Sequence, residues 1–222
     1  MTDGLLFSPL AMGTEDAGLL DVDFPMVLLG ERIFDGPVDH VTMENVEGAR
    51  AATEFLIGLG RRRIALLGAH EGEVIGSAGL RLAGYRAALE GHGIEFDESL
   101  IVASGPWHRS NGADAARLLL ARGVAFDAVF ALTDELALGA LRVLGEHGIR
   151  VPEQVSIIGF DDVDEGRYSL PSLTTVDPGR REIARLAVEL LLQRIAGDRS
   201  SERRELRSAF RIVERESTAP VS

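Results

Sequence analysis

Residues Gly148–Val176 read GIRVPEQVSIIGFDDVDEGRYSLPSLTTV, and the fold is decided by this stretch. Gly148 ends a helix, and Val151-Pro152-Glu153 marks an exposed turn. Val155–Gly159 follows as an apolar run, the form a strand takes when both faces of a parallel sheet are covered. It leads into Phe160-Asp161-Asp162, which puts two carboxylates at the carboxyl end of a strand. Open α/β sheets bind their ligands there.

Outward from this strand, strand-like and helix-like segments alternate, which predicts a parallel α/β architecture. Strands are expected at Gly4–Ser8, Pro25–Leu29, Arg63–Leu67, Leu100–Ala103, Ala128–Leu132 and Leu206–Arg215. Helices are expected at Asn45–Leu59 (with Asn45 as N-cap), Leu80–Glu90, Gly112–Ala121, Asp134–Glu146 and Arg180–Ile195. The polar segment Asp198–Glu205 reads as a loop.

Composition excludes several classes. A net charge of −12 argues against a phosphate-binding surface on this polypeptide. The absence of cysteine rules out disulfides, thiolate chemistry and zinc–sulfur sites, and fits a reducing cytoplasm. All 23 basic residues are arginine, as a GC-rich genome would produce. No apolar run approaches the roughly 18 residues of a membrane span, and no signal peptide is read at the amino terminus. Gly58-Leu59-Gly60 follows a helix rather than preceding one, so it is no dinucleotide fingerprint. The five histidines lack metal-ligand spacing, the acidic run Asp161–Glu165 lacks the order of a calcium loop, and no serine sits in a nucleophile elbow. No cofactor, metal or membrane contact is expected.

Five blocks in order, NVEGARAATEFLIGLGRRRIALLG (45–68), RLAGYRAAL (81–89), FALTDELALGAL (130–141), VSIIGFDD (155–162) and RIVERESTAP (211–220), carry a resemblance across nearly the whole chain. They closely resemble the effector-binding core of LacI/GalR-family transcription regulators. The resemblance implies a periplasmic-binding-protein-like type I fold: two doubly wound parallel-sheet lobes joined by three crossings, with the ligand between them. The crossings fall near Met43–Asn45, Val176–Pro178 and Phe210. Lobe one is then 1–43 with 177–209, and lobe two 44–176 with 210–222. The family begins with a helix-turn-helix DNA-binding domain, a hinge and the opening strands of lobe one. This chain starts at what matches the third strand, so lobe one is expected to be incomplete and to lack a central strand. Such a lobe exposes unpaired backbone and apolar surface unless it is rearranged or covered by a partner. The implied partners are a small-molecule effector (a sugar or related polyol), a second copy of the chain through lobe two, and DNA only through the absent amino-terminal domain.

The resemblance also nominates ligand-binding residues. Asp161 can accept two hydrogen bonds from adjacent sugar hydroxyls; the alternative is a cap for the helix after it. Asp162 reads as a cap or crossing contact. Arg81 matches the family's ligand-contacting arginine, its planar fork suited to two hydroxyls; the alternative is a solvated helix-surface arginine. Trp107, the only tryptophan, sits in the loop GPWHRSNG and offers an indole face for a pyranose; the alternative is a core tryptophan. Thr133-Asp134 stands where the family usually has Asn-Asp, and Asp134 has the alternative of capping its helix. Met43 lies where an apolar residue closes the pocket, or is a simple core methionine. Gly30 replaces an acidic ligand residue of some members, which leaves Glu31 or Arg32 as substitutes. The rival functions are a sugar-binding protein of a transport system, which shares the fold, and an α/β enzyme, for which no nucleophile–base pair or metal site is present.

Overall fold

The computed structural model describes residues 2–10, 12–198 and 202–221. In chain order the strands are β1 (Leu5–Phe7), β2 (Met26–Leu29), β3 (Asp39–Met43), β4 (Ile64–Ala69), β5 (Ile101–Ala103), β6 (Ala128–Ala131), β7 (Ser156–Phe160), β8 (Thr174–Asp177), β9 (Glu205–Ser208) and β10 (Arg211–Val213). The helices are α1 (Asn45–Gly58), α2 (Ser77–Gly91), α3 (Arg109–Ala121), α4 (Asp134–Glu146), α5 (Asp164–Tyr168) and α6 (Arg180–Ile195). The chain divides into two compact units, Met1–Glu44 with Gly179–Phe210, and Asn45–Pro178 with Arg211–Ser222.

The second unit is built on a six-stranded sheet in the order β10-β8-β7-β6-β4-β5. Only β10 runs antiparallel, against β8. Every residue of β4, β6 and β7 is buried, which is why these strands read as apolar runs rather than as alternating patterns. Ser217 and Thr218 of the polar tail are buried too, where the tail stitches strands together. Ser217 Oγ donates to the Ile157 carbonyl at 2.7 Å and accepts from the Thr174 N–H at 2.8 Å.

Two helix pairs close on glycine. A side chain at Gly84 of α2 would collide with the Val46 carbonyl of α1, and one at Gly139 of α4 with the Arg109 carbonyl of α3. The obstacle in both cases is backbone, which cannot swing aside. Gly139→Ala is therefore expected to destabilise the chain by about 2 kcal/mol, an overpacking cost that outweighs the gain in helix propensity. A denaturant midpoint equal to that of the wild type would show that the two helices do not approach this closely.

The first unit carries a parallel sheet in the order β1-β2-β3-β9. One face packs Val27 and Val41 against Ala187 and Leu190 of α6; Leu28 gathers with Leu20 and Ile33 in a second cluster. The expected missing centre does not interrupt this sheet, since the four strands pair contiguously. The unpaired backbone lies instead on the outer side of β1, where no described strand pairs and where Leu5 and Leu6 are partly exposed.

Three other expectations are corrected. Leu206–Arg215 is not one strand: it splits at Ala209-Phe210 into β9 of the first unit and β10 of the second. Of the expected loop Asp198–Glu205, residues 199–201 lie outside the described residues, and Glu205 opens β9. β3 was not foreseen because DHVTM is half polar. Its polar side chains are buried with partners: Asp39 accepts from Arg194 at 2.8 Å, His40 Nε2 lies 2.6 Å from the Gly30 carbonyl, and Thr42 donates to Glu31 at 3.3 Å. Burial pushes the Asp39 carboxyl up, but hydrogen bonds from Arg194 and Arg204 hold it below its ordinary value.

Candidate ligand-binding site

Asp161, Arg81, Trp107, Thr133 and Asp134 all belong to the second unit, and they gather around the carboxyl ends of β4, β6 and β7. Arg81 is the hub. Only 2% of it is exposed, because α2 delivers it beneath the strand ends. Its Nε donates to Asn45 Oδ1 at 2.8 Å, Nη1 donates to the Leu132 carbonyl, and Nη2 lies 3.5 Å from Asp161 Oδ1. Its guanidinium carbon sits 3.7 Å from the centroid of the Phe160 ring and 5.5 Å from that of Trp107. A buried charge needs this density of partners to offset its desolvation. The reading of Arg81 as a solvated surface arginine is therefore excluded.

Trp107 lies in the loop before α3, half-buried, with its indole N–H donating to the Gly68 carbonyl at 2.9 Å. Asp161 is held at φ 113°, a region that side-chain-bearing residues avoid. Its N–H donates to the Val176 carbonyl at 2.9 Å, and its carboxylate keeps 29% exposure. The N-cap position of α5 is Val163, not Asp161. Asp162 is buried at φ 47° and pairs with Arg215 and, at 3.2 Å, with Arg167. Burial raises its carboxyl, but the two arginines bring it below the usual carboxylate range. Neighbouring aspartates thus have different surroundings: Asp162 is buried between two arginines, whereas Asp161 pairs with Arg81 and keeps part of its carboxylate exposed.

Thr133 is the N-cap of α4, its hydroxyl accepting from the Leu136 N–H at 3.3 Å. Asp134 is wholly buried beneath it. One oxygen accepts from the Val163 N–H at 2.8 Å and the other from the Thr175 hydroxyl at 2.6 Å. The carboxylate thereby ties the loop after β7 to β8. Burial pushes its pKa up to about 7, with Asp161 and Asp162 adding to the rise and the two hydrogen bonds opposing it. A raised acid pKa means that the folded chain binds more protons than the unfolded one between pH 3.8 and about 7. The stability it contributes is complete below that window and is lost as pH rises through it, by at most ~1.4 kcal/mol per pH unit. Subtracting the stability–pH curve of Asp134→Asn from that of the wild type is expected to isolate this fall. Parallel curves would place the titration elsewhere.

Met43 ends β3 in the first unit and is half-buried. Glu31 in that unit is buried against Thr42, whereas Arg32 is exposed. Asn45 is the first residue of α1 rather than its cap; its oxygen serves Arg81, and its buried Nδ2 finds no acceptor among the described residues. Sequence reading did not nominate Asn45 or Phe160. The sequence signal for Phe160 is an aromatic one step ahead of a strand-end carboxylate.

A periplasmic binding protein-like domain model matches residues 53–218. Over 161 residues the chain is 41% identical to the HTH-type transcriptional regulator CelR of Thermobifida fusca, covering 72% of this chain and 46% of that protein. It spans about half the length of the curated relatives it matches first. Among solved structures, a putative LacI-family regulator from Sanguibacter keddieii is 54% identical with a TM-score of 0.88, covering 97% of this chain and 79% of its own. A LacI-family regulator from Enterococcus faecium with bound ribose is 31% identical with a TM-score of 0.87, covering 99% and 81%. The chain belongs to the periplasmic-binding-protein-like family, within the group formed by the effector-binding domains of LacI-type regulators. These relatives are named as transcription regulators, not as enzymes. Among the described residues no helix is long and apolar enough to cross a membrane.

Proposed function

We propose that this chain is the effector-sensing core of a LacI-type transcription regulator and that its ligand is a neutral sugar or related polyol. The two units correspond to the two lobes of such a core. The observation that carries the reading is the Arg81–Asp161 pair at the strand ends, with Trp107 beside it. A fixed carboxylate and guanidinium beside an indole suit adjacent hydroxyls on an apolar ring face. The ribose bound to the E. faecium relative supports the same class. No bond is made or broken: the ligand favours whichever conformation it binds better. Asp161, Arg81 and Trp107 contact it, and Thr133 and Asp134 shape the strand-end loop from below. DNA reading belongs to sequence outside this acidic chain, and the regulator works in the cytoplasm.

The test is a thermal-shift panel of neutral mono- and disaccharides (ribose and cellobiose included), sugar phosphates and nucleobases. A neutral sugar is expected to raise the melting temperature, the stabilisation reaching about 2.7 kcal/mol at a hundredfold excess over Kd. Stabilisation by nucleobases alone would contradict the proposed ligand class.

The regulator is also proposed to be a homodimer through the second unit. Leu170 is 95% exposed and Tyr168 82%, and Leu170 lines a groove with Leu138 and Leu141 of α4. Apolar side chains this exposed in one patch fit an interface. Leu170→Asp is expected to shift the chain from dimer to monomer in sedimentation; a wild type that is monomeric at tens of micromolar, as about the weakest stable dimer would not be, contradicts this.

A further inference from the structure

His70 directly follows β4 and packs beside Trp107, a residue already placed in the ligand site. Its Nε2 is 3.2 Å from the Gly105 carbonyl, in the loop that carries Trp107. Its Nδ1 is 2.8 Å from Glu73 Oε2. Its ring centroid lies 5.2 Å from that of Trp107, tilted by 33°. The other oxygen of Glu73 accepts from the Ala78 N–H at 3.1 Å, in the first turn of α2. Arg81 stands one turn further along the same helix.

A path of hydrogen bonds therefore runs from the helix bearing Arg81, through Glu73 and His70, to the loop bearing Trp107. The loop is held at its ends, where the Ser104 N–H donates to the Ala69 carbonyl at 3.0 Å and the Trp107 indole donates to Gly68 at 2.9 Å; between them Gly105 and Pro106 are exposed, and a side chain added at Gly105 would meet nothing. A loop of this kind opens locally at small cost unless it is tied down. A carbonyl and a carboxylate can only accept, so the two contacts together need an N–H on both ring nitrogens: Nε2–H donates to Gly105 and Nδ1–H to Glu73.

We propose that His70 is a positioning residue that clamps the Gly105–Trp107 loop to the start of α2, so that the indole is set beside Arg81 before any ligand arrives. The clamp's role in recognition rests on the ligand-site reading above; the clamp itself does not. A preset indole saves the ordering cost that binding would otherwise carry.

Trp107 is the only tryptophan, so its fluorescence reports the loop alone. The experiment measures acrylamide quenching and the emission maximum of the ligand-free chain for the wild type, His70→Ala and His70→Gln. The Gln variant can still donate one hydrogen bond to Gly105. In His70→Ala the quenching constant is expected to rise roughly two- to fivefold, the range that loss of one modest hydrogen bond allows, with emission shifted to longer wavelength. His70→Gln is expected to return most of the way. All three chains are expected to melt together, because His70 is partly exposed. Unchanged quenching in His70→Ala overturns the clamp, and so does a Gln variant indistinguishable from Ala. A wild type that ignores every sugar overturns the ligand reading instead, and the quenching series separates the two failures because it contains no ligand.

Discussion

Replacing Asp161 with glycine is expected to abolish sugar binding while leaving the chain folded. The carboxylate is the more exposed member of the Asp161-Asp162 pair, at 29% exposure. Two charge-assisted hydrogen bonds to adjacent hydroxyls are worth about 1.5–3 kcal/mol each, so their loss weakens binding by more than about a hundredfold. The backbone argues in the opposite direction for stability. At φ 113° a Cβ is unwelcome, and glycine removes it. The pair with Arg81 is long at 3.5 Å, and Arg81 keeps Asn45 and Leu132 when it is lost. The relief of strain, on the order of 1 kcal/mol, opposes the cost of leaving buried Arg81 without its carboxylate, so the melting temperature is expected to shift little. Asp161→Asn keeps the strain and removes only the charge; it is expected to bind at least about tenfold more weakly and to melt below the wild type, because Arg81 loses its counter-charge. Thermal melts with calorimetric titrations check both variants. An Asp161→Gly chain that binds normally places the ligand elsewhere.

Arg81→Ala is expected to fail in both respects. It leaves Asn45 Oδ1, the Leu132 carbonyl and Asp161 without their cation, and empties the space beside Phe160. Removing one partner from a buried charged network costs about 3–5 kcal/mol, so the unfolding midpoint should fall steeply and binding should vanish with it. Arg81→Lys is not expected to rescue either loss. A point charge with three donors cannot replace a planar fork that reaches Asn45, Leu132 and Asp161 while lying against Phe160. A stable Arg81→Lys chain with wild-type affinity would show that charge alone matters there.

The legible part of this fold was its apolar periodicity. β4, β6 and β7 could be read because burial on both faces leaves no polar residue to confuse the pattern, and α4 and α6 have the bounds read from the sequence. β3 could not be read, because its polar side chains are satisfied by partners as distant as Arg194, Arg204 and Glu205. The split between β9 and β10 was hidden because a change of sheet leaves no trace in local periodicity. At the site, Arg81 and Asp161 were nominated through motif resemblance. Their contact depends on φ at Asp161 and on Asn45, neither of which a one-dimensional pattern reveals. Asp134 shows the limit most clearly. Its position at a helix start suggests a cap, but Thr133 does the capping and the carboxylate turns inward to Thr175 and Val163.

The measurement that bears most directly on the account is a titration of Trp107 fluorescence with whichever neutral sugar stabilises the chain. The account predicts a saturable change in emission, at a midpoint equal to the Kd found by calorimetry and absent in Asp161→Gly. A sugar that raises the melting temperature of the wild type but leaves Trp107 silent, or that still changes its emission in Asp161→Gly, would contradict a ligand site at these strand ends.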